Sequence, residues 1–187
     1  VDTAVEFNED SSESINFSTF DIDGDELTST LTACDTNDGN TTGTLNGATI
    51  EFDSTADYNG SACFDLVVSD GTDNTTTTID VTVNPINDTP IITSTPTSEF
   101  SADDGYSYTI EASDVDGDDL SYTLVSSTSG ITLIENELTW ADLADDVFSG
   151  SFTVSVTDGA DTIFQSAELL VVQFIDCAGV NNGSSVE

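Results

Sequence analysis

Hydrophobic residues alternate with polar ones along most of the chain, in short runs that turn-forming residues separate. Phe64, Leu66 and Val68 form one such run. A period of two places successive side chains on opposite faces of a strand, so each run predicts a strand with one buried face. Turn signals such as Asn46-Gly47 and Asp70-Gly71 bound the runs, and no stretch has a convincing helical period. The pattern predicts an all-β protein.

The chain repeats itself. Residues 21–31 match residues 114–124 at a shift of 93, and residues 64–71 match residues 152–159 at a shift of 88. Between these segments, the strand residues Ile50 and Phe52 fall on Leu138 and Trp140. We expect two tandem Ig-like antiparallel β-sandwich domains of about seven strands each, over residues 1–88 and 89–175, followed by an acidic, cysteine-containing tail over residues 176–187.

The charge of the chain is one-sided. Lys, Arg and His are absent, while Asp and Glu number 37, for a formal net charge of -37. Such a chain cannot neutralise phosphates, so it is not expected to bind nucleic acid or anionic membranes. It also lacks the side chains of most nucleophilic and phosphoryl-transfer enzymes. Paired carboxylates could still hydrolyse a glycoside. Neither short module has an insertion that would form a cleft, so we do not expect the protein to be an enzyme.

The absence of cations also directs attention to clustered carboxylates. Two unit charges about 4 Å apart repel by about 1 kcal/mol in water and about 4 kcal/mol at an effective dielectric constant of 20. With no side-chain cation available, a cluster must be solvated, protonated or bound to metal. Asp114 and Asp116 leave the same face of a strand end, and Gly117 allows the backbone to turn beneath them. Oxygen ligands of this kind suit Ca²⁺, although the spacing is a poor match to an EF-hand loop.

Several motifs occur in the order found in one protein family. The sequence resembles the bacterial cadherin-like tandem repeats of large surface proteins, and its second copy is similar to the dystroglycan-type cadherin-like variant. The motifs that carry the resemblance are NED at 8–10, DxDGDxL at 21–27 and 114–120, ADYNGS at 56–61, VSDG at 68–71 and VNPINDTP at 83–90. The resemblance implies cadherin-like β-sandwiches in an extracellular, cell-surface or secreted protein.

The resemblance also implies calcium at the junction of the two modules. The implied ligands come from the lower end of the first module, the linker and the upper end of the second: Glu9, Asp57, Asn87, Asp88, Asp114, Asp116 and Asp158. The match is incomplete, because Pro85 and Thr89 replace the first and last residues of the family's DxNDN linker, and one or two ions are expected. Solvated Asp-Gly turns without metal are the alternative.

Half-sites are expected at both outer ends. The upper one comprises Asp21, Asp23 and Asp70, and the lower one comprises Asp103 or Asp104, Asp145 and Asp176. Another module of the same parent chain, or the next copy of the protein placed end to end, would complete them.

Cys34 and Cys63 are expected on neighbouring strands and facing outward, where the second module has Ser127 and Ser151. A surface disulfide is the prediction, and two free thiols are the alternative. Cys177 is the third cysteine, and we expect it to pair with a residue beyond the end of the given sequence or with another chain.

Asn-x-Ser/Thr triplets make glycosylation a further expectation. The candidate positions are Asn16, Asn40, Asn59, Asn74 and Asn182, whereas Asn87 is favoured as a ligand. The predicted function is a structural, calcium-rigidified segment of an extracellular filament, stalk or large adhesin. The alternative is a module for binding carbohydrate or a cell surface, for which exposed aromatic residues would be the signature. Trp140, Tyr106 and Tyr108 follow inward phases instead.

Overall fold

A computed structural model describes residues 3–102, 104–141 and 149–172. The described residues contain strands and turns without a helix, so the all-β prediction is confirmed. Accordingly, no helix among them is long and apolar enough to cross a membrane. The chain divides into two compact units, Val1–Ile86 and Asn87–Glu187, each with its own hydrophobic core.

The first unit is a sandwich of two sheets. One sheet has the strand order β1-β7-β6-β3 and the other has the order β2-β5-β4. The strands are β1 (Ala4–Asn8), β2 (Ser12–Asn16), β3 (Thr28–Ala33), β4 (Thr41–Asn46), β5 (Thr49–Ser54), β6 (Gly60–Ser69) and β7 (Asn74–Asn84). All pairs are antiparallel except β1 with β7, which is parallel, because the chain leaves β1 for β2 in the opposite sheet. The sequence pattern predicted the sandwich but not this parallel pair.

The second unit has the same plan with two additional short strands. Its strands are β8 (Ile91–Ile92), β9 (Glu99–Ser101), β10 (Tyr106–Thr109), β11 (Ala112–Ser113), β12 (Ser121–Ser127), β13 (Ile131–Ile134), β14 (Glu137–Trp140), β15 (Ser149–Thr157) and β16 (Thr162–Val172). Its sheets have the orders β12-β15-β16-β9 and β10-β14-β13. Strands β8 and β11 form a separate antiparallel pair.

The predicted inward residues form both cores. Ile50 and Phe52 of β5 have no exposed surface, and their counterparts Leu138 and Trp140 of β14 are 0% and 3% exposed. Tyr106 and Tyr108 are buried as well, and their rings lie 6.4 Å and 6.1 Å from that of Phe152. The aromatic residues that were expected inside are therefore core residues and do not form an exposed stacking platform.

Candidate functional site: acidic loops at the strand ends

The acidic loops of the second unit surround the linker residues Asn87 and Asp88. The loop after β11 carries Asp114, Asp116 and Asp118, and one carboxylate oxygen of each lies within 4.8 Å of the others. The backbone nitrogen of Asp88 donates to Oδ2 of Asp116 at 2.7 Å. At least three negative charges are therefore gathered beside the first residues of this unit.

The β15–β16 turn contributes two more carboxylates. The side-chain nitrogen Nδ2 of Asn87 donates to Oδ2 of Asp158 at 3.1 Å and to Oδ2 of Asp161 at 2.9 Å. Asn87 thus joins two carboxylates 71 and 74 residues further along the chain. This arrangement uses the amide nitrogen, so a ligand role for Asn87 would use its Oδ1.

Backbone donors hold Asp158 in its ionised form. Its Oδ1 accepts hydrogen bonds from the nitrogens of Asp161 at 2.6 Å and Ala160 at 2.7 Å. The hydrogen bond from the Asp161 backbone is the largest of the causes that lower the pKa of Asp158, and the Asn87 side chain also contributes. The side chain of Asp158 is therefore a charged carboxylate near neutral pH.

The first unit carries an acidic group of its own beside its last residue. Glu9 is buried, with 3% of its surface exposed. Its Oε1 accepts a 2.6 Å hydrogen bond from the backbone nitrogen of Ile86, and its Oε2 has no hydrogen-bond partner among the described residues. A buried carboxylate oxygen without a donor is costly unless a cation compensates it, and the chain has no cationic side chain.

Asp10 and Asp57 lie near each other in the same unit. The backbone nitrogen of Asp57 donates to Oδ1 of Asp10 at 3.2 Å. Both residues have positive φ, 57° for Asp10 and 55° for Asp57, in the left-handed region that non-glycine residues seldom adopt. The loops therefore hold two carboxylates together at some conformational cost.

The carboxylate oxygens of both units are suitable ligands for calcium. Oδ2 of Asp114 is buried without a hydrogen-bond partner among the described residues, as is Oε2 of Glu9. Ca²⁺ takes six to eight carboxylate or carbonyl oxygens, and the groups of acids among the described residues include no cysteine or histidine that would favour a softer metal. The donor set of each unit suits Ca²⁺.

The structure places three further acids beside residues of the expected ligand set. Asp10, Asp118 and Asp161 lie beside Asp57, Asp116 and Asp158 respectively. Each belongs to a motif that the sequence already displayed: NED at 8–10, DGDD at 116–119 and TDGAD at 157–161. The three additional acids could have been selected from the sequence if every acid of each motif had been considered, and not only the acid that the resemblance implied.

The expected upper half-site of the first unit has a related loop geometry. Oδ1 of Asp21 accepts from the backbone nitrogens of Asp23 and Gly24, both at 2.8 Å, and of Asp25 at 3.1 Å. Oδ1 of Asp70 accepts from two backbone nitrogens, and the hydrogen bond from Asp73 is the main cause that lowers the pKa of Asp70. Asp21 and Asp70 line the same surface groove.

Of the expected lower half-site of the second unit, Asp104 alone is described. It is exposed, and its backbone nitrogen donates to the carbonyl of Ser101 at 3.2 Å. Asp103, Asp145 and Asp176 lie outside the described residues, as do Cys177 and Asn182.

The expected disulfide is confirmed. Cys34 is bonded to Cys63 with a Cα–Cα distance of 5.5 Å, and the backbone nitrogen of Cys34 also donates to the carbonyl of Cys63 at 3.1 Å. The bridge extends the β3–β6 pairing, in which Ala33 lies opposite Phe64.

The expected glycosylation positions differ in accessibility. Asn16, Asn59 and Asn74 are exposed, and Oδ1 of Asn16 accepts a 2.7 Å hydrogen bond from the Thr49 hydroxyl. Asn40 is half-buried, and its Nδ2, the atom that would carry a sugar, donates to Asp38 at 3.0 Å.

Comparisons with known proteins agree with the fold. Residues 1–84 match the protein-family model described as Bacterial Ig domain. Human protocadherin-24 EC1-2 (form II) has a similar structure with a TM-score of 0.57 at 15% identity, and the match covers 92% of this chain and 95% of that one. Drosophila N-cadherin EC1-4 gives 0.56 at 14% identity, over 91% of this chain and 48% of that one.

A further similarity involves part of a larger protein. The endo-fucoidan hydrolase MfFcnA4 of glycoside hydrolase family 107 matches with a TM-score of 0.39 at 20% identity, over 91% of this chain and 28% of that one. The chain spans 28% to 33% of the length of the fucoidan hydrolases that it matches. The comparison with curated protein sequences returned no match. The family match over residues 1–84 and the cadherin structures together support an Ig-like, cadherin-like β-sandwich fold.

Proposed function

We propose that the chain is a structural segment of an extracellular filament, stalk or large surface adhesin, and that calcium shared by the acids of its two units stiffens it. On this proposal the modules are of the bacterial tandem-repeat and dystroglycan-like types, and they act mechanically rather than as an enzyme. The observation that carries the proposal is the buried Glu9, whose Oε2 has no partner among the described residues in a chain without a cation.

Connectivity supports a shared ion. Glu9 accepts a hydrogen bond from Ile86, and the next two residues, Asn87 and Asp88, donate hydrogen bonds to Asp158 and Asp116 respectively. The acids of both units are thus anchored to three consecutive residues of the chain. Glu9, Asp10 and Asp57 would supply oxygens from the first unit, and Asp88, Asp114, Asp116 and Asp158 would supply them from the second.

A bound divalent cation would act on the repulsion between these carboxylates. Several like charges within about 5 Å repel by about 1 kcal/mol per pair in water and more where solvent is excluded. Calcium removes that repulsion and links the two units through one set of ligands, so the segment between β7 and β8 loses freedom. Chelation restores the repulsion and releases the hinge.

Small-angle scattering tests the mechanical part of the proposal. The full chain in millimolar CaCl₂ should have a longer maximum dimension than in EGTA, and MgCl₂ at equal ionic strength is the control for screening. Isothermal titration tests the binding itself. No saturable uptake of Ca²⁺, or scattering curves that superimpose in calcium and chelator, would refute the proposal.

A matched pair of variants locates the site. Asp116→Asn removes a charge from an acid that contacts the linker, whereas Asp119→Asn removes the same charge from an exposed neighbour outside the three-carboxylate group. The first variant should weaken calcium binding at least tenfold, and the second should change it less than twofold. Equal effects would mean that only net charge matters.

A further inference from the structure

One outward sheet face of the second unit carries no charge over three rows of side chains. The rows cross β12, β15 and β16, which are neighbours in one sheet. Eight of the nine residues are serine or threonine, and the ninth is a phenylalanine: Ser121, Thr157 and Thr162 in the first row, Thr123, Ser155 and Phe164 in the second, and Ser126, Thr153 and Ser166 in the third. The chain has 37 acidic residues and no basic ones, so an uncharged face of this extent calls for an explanation.

Phe164 is the aromatic residue of the middle row. Its neighbour Ile163 packs against the core, whereas Phe164 points outward with 63% of its surface exposed. An exposed ring forgoes the free energy that burial would give, and a ligand with an apolar surface recovers part of it by covering the ring. Phe164 is therefore a candidate contact for such a ligand.

Ser155 lies beside Phe164 and is the most buried residue of the face, with 8% of its surface exposed. Its neighbours Val154 and Val156 have no exposed surface and point inward, so the Ser155 side chain points outward. On the strands to either side, Thr123 and Phe164 are larger and exposed, and they leave Ser155 at the bottom of a depression. The hydroxyl of Ser155 makes no hydrogen bond to another described residue. A hydroxyl buried to this extent is stabilised by a partner, which a ligand in the depression would supply.

The first unit lacks these features at the corresponding positions. At the shift of 88 residues, Ser155 corresponds to Val67 and Phe164 corresponds to Thr76. Asp65 places a carboxylate in the row whose counterpart in the second unit is uncharged. The ring, the buried hydroxyl and the lack of charge therefore do not follow from the strand pattern that both units share.

We propose that this face binds a neutral oligosaccharide, with one sugar ring on Phe164 and a sugar hydroxyl bonded to Ser155. The C–H groups of a pyranose ring form an apolar surface that stacks on an aromatic ring, and its hydroxyls both donate and accept hydrogen bonds. Serine and threonine hydroxyls do the same, so the surrounding residues match the rim of the sugar. Alternate residues of a strand lie about 6.8 Å apart, so the three rows span about 14 Å, which is room for a short oligosaccharide.

Charge selects a neutral ligand. The chain has no Lys, Arg or His that could pair with a sulfate or carboxylate group. Acids also border the face, because Glu168 lies in the next row of β16, and Asp158 and Asp161 lie in the turn that joins β15 to β16. Sulfated sugars and uronic acids would therefore be repelled.

Chemical-shift mapping on the full, isotopically labelled chain tests the proposal. The probes are maltotriose, cellotriose, mannotriose and triacetylchitotriose, each titrated to millimolar concentration, and trigalacturonic acid is the anionic control. At least one neutral trisaccharide should shift the amide signals of Thr123, Ser155 and Phe164 saturably, and the control should not. The signals of Val67 and Thr76 in the first unit should stay unchanged. EGTA in all samples makes the outcome independent of the calcium proposal.

Variants of the face locate the contact. Phe164→Ala should weaken binding at least tenfold, whereas Phe164→Tyr keeps the aromatic ring and should retain binding. Leu170→Ala is the matched control, because Leu170 is also an outward apolar residue of β16, is 48% exposed and lies outside the three rows. It should change binding less than twofold. Ser155→Ala removes the buried hydroxyl and should weaken binding at least threefold.

Four outcomes would overturn the proposal. The first is no saturable shift with any of the neutral trisaccharides, and the second is an equal loss of binding from Phe164→Ala and Leu170→Ala. The third is binding of trigalacturonic acid with the same affinity, which would mean that charge does not select the ligand. The fourth is a shift of the face that depends on protein concentration alone, which would mean that the face binds a second copy of the chain instead.

Discussion

The backbone nitrogen of Ile86 donates a 2.6 Å hydrogen bond to Oε1 of Glu9, a residue 77 positions earlier in the chain. The bond fixes one oxygen of a buried carboxylate and leaves Oε2 without a partner among the described residues. The end of β7 and the end of β1 are thereby joined, because the two strands run parallel up to Asn84 and Asn8.

Glu9→Gln should separate the hydrogen bond from the charge. Glutamine retains an oxygen that accepts from Ile86, but it removes the negative charge that a cation would compensate. We expect calcium affinity to fall at least tenfold by isothermal titration, with an apo-state melting temperature equal to or above that of the wild type. Glu6→Gln, at an exposed position of β1, is the control. A calcium affinity unchanged by Glu9→Gln would exclude Glu9 as a ligand.

Asp38 should titrate below its ordinary range. The backbone N–H of Asn40 is the main cause that lowers the pKa of Asp38, and the Asn40 side chain and the Tyr58 hydroxyl add to it. A carboxyl group whose pKa is lower in the folded than in the unfolded state stabilises the folded state above about pH 4. That stabilisation is lost as the pH falls through the pKa of the folded state.

An NMR titration of the Asp38 carboxyl carbon measures this pKa directly. Asn40→Ala keeps the backbone donor and removes the side-chain donor, so the pKa should rise only part of the way to its ordinary value. A full return would mean that the side chain, rather than the backbone, dominates. Asn59→Ala, at an exposed position, should leave the pKa of Asp38 unchanged.

Removal of the Cys34–Cys63 bridge should destabilise the first unit. The two cysteines are 29 residues apart in sequence, and closing a loop of this length stabilises a fold by about 3.6 kcal/mol in the chain-entropy model. The double variant Cys34→Ser/Cys63→Ser should lose about that free energy of unfolding in urea. Trp140 fluorescence reports the unfolding transition of the second unit, and this transition should shift less than that of the first unit. Equal shifts of the two transitions would contradict a local effect of the disulfide.

Gly150→Ala should destabilise the second unit. A Cβ atom built on Gly150 would lie 2.3 Å from Cζ3 and 2.4 Å from Cη2 of Trp140, so the indole would have to move within a packed core. Overpacking of this kind costs about 1 to 3 kcal/mol. Trp140 is the only tryptophan, so its emission during urea unfolding measures the loss. Ser149→Ala, at the exposed neighbouring position, should change stability by less than about 0.5 kcal/mol.

Local patterns sufficed for much of the fold. The alternation at Phe64 and Leu66, and the correspondence of Phe52 with Trp140, predicted strands whose inward residues are buried in both units. The outward phase of Cys34 and Cys63 predicted a bridge that the β3–β6 pairing makes possible. Residues two positions apart in a strand lie on the same face of that strand, wherever the strand packs. These predictions succeeded because they needed no information about distant residues.

The sequence by itself determined the strand pattern, the duplication and the presence of acids at the strand ends, because each is a property of neighbouring residues. The tertiary structure alone decided that β1 pairs parallel with β7, that Asn87 binds Asp158 and Asp161, and that β8 pairs with β11. These features join residues that are far apart in the chain. Register and packing select them from many arrangements that the same alternation would allow.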